Sequence, residues 1–144
     1  MKVRTILATK GTTVVTVHPQ QSLREAARLL ADHNIGALVA LNEAGEIVGI
    51  ISERDIIRAA ARLDEALSRP VSEIMTKEVI VGLPNDDLMA VANAMTERRF
   101  RHLPIVERGE MVGIISMGDI VKSQRDQYKG EIDTLETQIT ADET

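Results

Sequence analysis

No cysteine occurs among the 144 residues, so disulfides, thiolate metal sites and cysteine nucleophiles are excluded. Aromatic residues are nearly absent as well: Phe100 and Tyr128 are the whole complement, and packing must rely on Ile, Val, Leu, Ala and Met. No apolar run approaches the roughly 20 residues that span a bilayer, and Met1-Lys2-Val3-Arg4 is not followed by the apolar stretch of a secretory signal. A basic excess is also missing. The formal charge of -5 argues against a dedicated binder of nucleic acid or anionic membrane, since both need a cationic footprint to gain from counterion release. The expectation is a cytoplasmic protein with neither nucleic acid nor membrane as a partner.

What the chain does have is repetition. Gly45-Glu46-Ile47-Val48-Gly49-Ile50-Ile51-Ser52-Glu53-Arg54-Asp55-Ile56-Ile57 returns as Gly109-Glu110-Met111-Val112-Gly113-Ile114-Ile115-Ser116-Met117-Gly118-Asp119-Ile120-Val121, with nine of thirteen positions identical. The similarity extends outward from this core. Val14-Val15-Thr16-Val17, ending at Pro19, matches Val79-Ile80-Val81, ending at Pro84, and both predict strands. Ser22-Leu23-Arg24-Glu25 is a capping-box pattern opening a helix with Leu23, Ala26, Ala27 and Leu30 on one face; Leu88, Val91, Ala92 and Met95 repeat that face after Asp86 and Asp87 as candidate caps.

Two strands follow in each copy. Ala37 to Leu41 and Glu46 to Ile51 flank the turn Asn42-Glu43-Ala44-Gly45, and His102 to Val106 and Glu110 to Ile115 flank Glu107-Arg108-Gly109. Ser52 and Ser116 then stand where a strand stops and a helix begins. A short lead-in precedes each copy, Val3-Arg4-Thr5-Ile6-Leu7 against Val71-Ser72-Glu73-Ile74-Met75, and 62–70 connects the halves. The predicted organisation is repeat 1 over 1–68, repeat 2 over 69–123 and a tail over 124–144, with Ile132, Leu135 and Ile139 at near-helical spacing and fraying into disorder by Thr140. Halves of about 60 residues bury too little apolar surface to stand alone, which predicts one shared core.

Duplicated strand-helix-strand-strand-helix units, with Gly-Ile-Ile-Ser-x-x-Asp entering the last helix, resemble cystathionine-β-synthase (CBS) domains in a tandem pair, the Bateman module. The resemblance covers roughly residues 1 to 123 and is specific because element order, turn glycines and motif recur twice in register. It implies a mixed α/β (α+β) fold of two pseudo-twofold-related repeats packed through their sheets, with two clefts for adenosine ligands such as AMP, ATP, NAD(H) or S-adenosylmethionine. It also implies a homodimer that regulates rather than catalyses, through a separate regulated protein.

An adenosine phosphate asks for a carboxylate toward the ribose hydroxyls, donors or positive charge for the phosphate, and an apolar slot for the base. Asp55 and Asp119, in the first turns of their helices, can take ribose hydroxyls in charge-assisted bonds, with Ser52 or Ser116 and the helix N-terminus beside them for an anion. Ser-x-x-Asp is equally a helix cap, and the two roles are compatible. Where the first copy has Asn34-Ile35-Gly36-Ala37, the second has Arg99-Phe100-Arg101-His102, and by the resemblance Arg101 and His102 face phosphate in the Asp119 cleft.

The family crosses its halves, which assigns Lys10, Thr12, Thr13, Val14 and Val15 to the Asp119 cleft. Lys77, Glu78, Val79 and Ile80 go to the Asp55 cleft beside Ala37. There Arg54 is the only motif-borne cation and Glu78 would repel a phosphate, so the Asp119 cleft is expected to be the tighter. Met117 and Gly118, replacing Glu53 and Arg54, leave it more room. Against catalysis stand His18, His33 and His102, none in a triad or metal-ligand spacing, and no P-loop or Gly-x-Gly-x-x-Gly turn appears. Neither a catalytic cofactor nor a metal is expected. The competing reading is a ligand-free dimeric interaction scaffold, in which the motif only caps helices.

Overall fold

The computed structural model describes residues 1–11 and 13–143, with side chains as far as 132. The chain runs α1 (Val3–Lys10), β1 (Thr16–Val17), α2 (Leu23–His33), β2 (Ala37–Leu41), β3 (Ile47–Ser52), α3 (Glu53–Arg62), two short 3-10 turns (Ala66–Ser68 and Val71–Glu73), α4 (Leu88–Arg98), β4 (His102–Glu107), β5 (Glu110–Ser116) and α5 (Met117–Glu143). It forms two compact units: 13–81 is one, and 82–144 together with 1–12 is the other.

Helix starts follow the predicted chemistry. Ser22 Oγ accepts from the Glu25 N–H at 3.1 Å, while in place of the reciprocal capping-box bond Glu25 Oε2 accepts from Gln21 Nε2 at 2.8 Å. Of the two candidate caps before α4, Asp87 takes the role by accepting from the Ala90 N–H; Asp86 closes the preceding turn by accepting from the Leu83 N–H. In unit 13–81, β2 pairs in parallel with β1 and antiparallel with β3. In the other unit β4 and β5 form an antiparallel hairpin whose loop, Arg108 and Gly109, has φ of 54° and 81°, as a two-residue primed turn requires.

Three expectations are corrected. Val79-Ile80-Val81 is not a strand, and only Thr16 and Val17 of the first β-branched run are. Ile80 and Val81 are exposed, so no packing surface rewards their β-propensity. The backbone bridge to β4 comes one residue later, at Gly82, whose N–H donates to Pro104 O and whose carbonyl accepts from the Val106 N–H, both at 2.9 Å. A Cβ there would stand 2.7 Å from Leu103 Cδ2, so glycine is required for that approach. In the tail, α5 runs as helix through Lys122 to Glu143.

The third correction concerns the core. Among the described residues the buried apolar side chains fall into two clusters, each within a single unit. Each cluster takes in the lead-in segment of the other repeat. Val3, Ile6 and Leu7 join Leu88, Val91, Met95, Leu103, Ile105, Ile115 and Ile120; Val71, Ile74 and Met75 join Val17, Leu23, Leu30, Leu38 and Ile51.

The exchange uses one hydrogen-bond pattern twice. The Val3, Arg4 and Leu88 N–H groups donate to Asp86 O, Pro84 O and Met1 O, and the Val71, Ser72 and Leu23 N–H groups donate to Gln21 O, Pro19 O and Arg69 O at equivalent positions. Gly113 of β5 and Gly49 of β3 complete it. A Cβ on Gly113 would lie 2.5 Å from Leu7 Cδ2, and one on Gly49 would overlap the Met75 side chain, so each glycine seats the lead-in side chain of its unit.

Candidate functional site

Ser52 and Ser116 each end a strand and cap the helix that follows. Both make the full reciprocal box. The Ser52 N–H donates to Asp55 Oδ2 at 2.8 Å and the Asp55 N–H to Ser52 Oγ at 3.2 Å; the Ser116 N–H donates to Asp119 Oδ2 at 2.8 Å and the Asp119 N–H to Ser116 Oγ at 3.1 Å. The capping expectation therefore holds in both copies, and both aspartates remain part-exposed at the helix start.

What separates the copies is Lys10. Its Nζ lies 2.6 Å from Asp119 Oδ2 and 2.8 Å from Ile114 O, with 36% of the lysine side chain and 24% of the aspartate side chain exposed. Burial alone would push the Asp119 carboxyl up, but the Lys10 hydrogen bond, the Ser116 N–H and the ammonium charge outweigh it and hold the carboxyl below its ordinary value. Among the described residues Asp55 has no ion pair.

Arg101 and His102 are delivered to the same place by backbone geometry. The Met117 N–H donates to Arg101 O at 2.9 Å, and His102 lies opposite Ser116 across the β4–β5 ladder. Arg101 is exposed and His102 half-buried, so a cation and an imidazole border the start of α5. Gly118 is exposed one residue before Asp119, and a Cβ there would stand 3.6 Å from Ser116 Oγ; Arg54 occupies the corresponding place in the first copy. Gly36 and Ala37 repeat the arrangement there, with the Glu53 N–H donating to Gly36 O at 3.0 Å and Ala37 opposite Ser52, but they bring no charge.

Lys10, Arg101, His102, Ser116, Met117, Gly118 and Asp119 thus fall in one unit. Ala37, Ser52, Arg54, Asp55, Val79 and Ile80 fall in the other, together with Thr13, Val14 and Val15. Thr12 lies outside the described residues. The carbonyl of Ile114 as a partner of Lys10 had no signal in the sequence, because the two residues are 104 positions apart.

The CBS domain family model matches residues 3–62 and 71–126. Among solved structures, the CBS-domain containing protein ATU1752 from Agrobacterium tumefaciens is 42% identical with a TM-score of 0.82, covering 85% of this chain and 92% of that one. The CBS domain protein PAE2072 from Pyrobaculum aerophilum, complexed with AMP, is 31% identical with a TM-score of 0.74, covering 83% and 89%. The CBS domain pair of protein MJ0100, in complex with 5-methylthioadenosine and S-adenosyl-L-methionine, is 31% identical with a TM-score of 0.79, covering 88% and 98%. Among the described residues no helix is long and apolar enough to cross a membrane. Two matched stretches, each holding its own capped Ser-x-x-Asp, make this chain a member of the CBS-domain family that carries a pair of the domains.

Proposed function

We propose that this CBS pair is a cytoplasmic, homodimeric sensor of an adenosine ligand (AMP, ATP or NAD(H)) that passes its state to a separate regulated protein. The observation that carries the reading is the concentration of charge at one motif: Asp119 sits capped and ionised beside Lys10, with Arg101 and His102 at the same helix start. An ionised carboxylate accepts ribose hydroxyls, and the helix N-terminus with its cationic neighbours favours a phosphate. Relatives whose complexes hold AMP, or 5-methylthioadenosine and S-adenosyl-L-methionine, support the adenosine part of the proposal. Ile57 and Val121, equivalent in the two repeats and 67% and 57% exposed, support self-association.

A second reading, a ligand-free dimeric scaffold, is favoured by the completeness of both capping boxes, which already gives Ser52, Asp55, Ser116 and Asp119 a structural purpose. Thermal unfolding with AMP, ATP, NAD and S-adenosylmethionine separates the two. A ligand at 100 times its dissociation constant adds about 2.7 kcal/mol, which raises the melting temperature by several degrees in a chain of this size. A rise with at least one adenosine compound is expected. No rise with any of them leaves the scaffold.

A further inference from the structure

Ile50 and Ile114 are equivalent residues whose carbonyls are satisfied in different ways. Ile50 O accepts the main-chain N–H of Thr76 at 2.9 Å, a rung of a bridge that only backbone movement can break. Ile114 O accepts from Lys10 Nζ, at the end of a side chain that four rotatable bonds can swing away. The same ammonium holds Asp119 Oδ2, which already receives the Ser116 N–H. Ribose hydroxyls arriving at this carboxylate therefore compete with a cation already in place.

We propose, resting on the adenosine reading above, that Lys10 determines specificity at the Asp119 site: the ribose displaces its ammonium from the carboxylate, and only a ligand that carries a phosphate gives that ammonium a new anion. An unphosphorylated nucleoside must break the ion pair and leave a part-buried charge without its partner; a nucleoside phosphate exchanges one ion pair for another. The helix carrying the lysine ends in a defined cap. Gly11 caps α1 by donating its N–H to Leu7 O at 2.9 Å, with φ 93° and ψ 170°, a conformation essentially restricted to glycine. The exchange thus belongs to the lysine side chain, and selection for phosphate is set by a residue contributed from the N-terminal helix to the second repeat.

The test is calorimetric titration of the full chain with adenosine and with AMP at one salt concentration. In Lys10→Met, AMP affinity is expected to fall roughly tenfold while adenosine affinity rises several-fold, because the competing cation is gone. Lys10→Arg should keep the AMP preference, and Lys10→Gln should repeat the methionine result. Equal losses for both ligands would make Lys10 a structural clamp, and no change in either would make it a bystander. Both outcomes overturn the proposal while leaving the adenosine reading intact, provided Asp119→Asn still loses both ligands. If neither compound binds the unaltered chain, the Lys10 proposal fails while the ATP and NAD arms of the thermal panel still decide the adenosine reading; if Asp119→Asn binds both as before, Asp119 does not read the ribose and the Lys10 proposal falls with that assignment.

Discussion

Replacing Asp119 by alanine is expected to weaken adenine-nucleotide binding by about a hundredfold or more, and replacing Asp55 by less than tenfold. Two orders of magnitude correspond to about 2.7 kcal/mol, the range of a hydrogen-bonded charge lost to a polar ligand. The two aspartates make a matched pair for this comparison. Each accepts its serine N–H at 2.8 Å, so each substitution removes the same cap, at about 0.5–2 kcal/mol in the apo protein, and Asp119→Ala removes the Lys10 ion pair as well. They differ in company: Asp119 has Lys10 on its carboxylate and Arg101 and His102 beside its helix start, whereas the first copy has Gly36 and Ala37 at those positions. A stability loss at Asp119 somewhat above that at Asp55, with a binding loss at least tenfold greater, is the expected pattern in parallel urea and nucleotide titrations. Equal binding losses would contradict the asymmetry.

The second large effect belongs to the exchanged lead-in. Gly113→Ala is expected to destabilise the protein by about 1–3 kcal/mol, because the new methyl meets Leu7 Cδ2, and Leu7→Ala by about 2–4 kcal/mol through the cavity it opens. The double variant should cost at least about 1 kcal/mol less than the sum, since the added methyl enters space the leucine leaves. Gly49→Ala should be milder than Gly113→Ala, because the neighbour there is Met75, an unbranched thioether that can reorient. Urea midpoints of the four variants measure these differences. Strict additivity of the Gly113 and Leu7 changes would mean that α1 is not held in the seat that β5 provides.

Much of this was legible from residue identity. The repeated Gly-Ile-Ile-Ser-x-x-Asp placed strand, serine cap and helix in both copies, because capping is a local bargain among four residues and needs no distant partner. The charged neighbourhood of Asp119 was legible in part: Arg101 precedes β4 and His102 opens it, and the ladder sets His102 opposite Ser116 while the Met117 N–H holds the Arg101 carbonyl. What the sequence hid was long-range. The ion pair spans 109 positions, and nothing near Lys10 marks Asp119 as its partner.

The same limit applies at 79–81, where the sequence pattern predicts a strand and none forms. Val79, Ile80 and Val81 have the composition of a strand, but composition describes what would pack well on a sheet rather than whether a sheet is there. Gly82, with no side chain at all, makes the approach to β4. The single shared core was predicted from size alone, which could not foresee that each half supplements itself with eight residues or fewer of the other repeat's lead-in.

The crystal structure of the full chain soaked with AMP tests the account at its centre. The expected result places both ribose hydroxyls within about 3 Å of the Asp119 carboxylate, with Lys10 Nζ moved from Asp119 to the phosphate. AMP bound with its ribose away from Asp119, while the Lys10 ion pair stays intact, would contradict it.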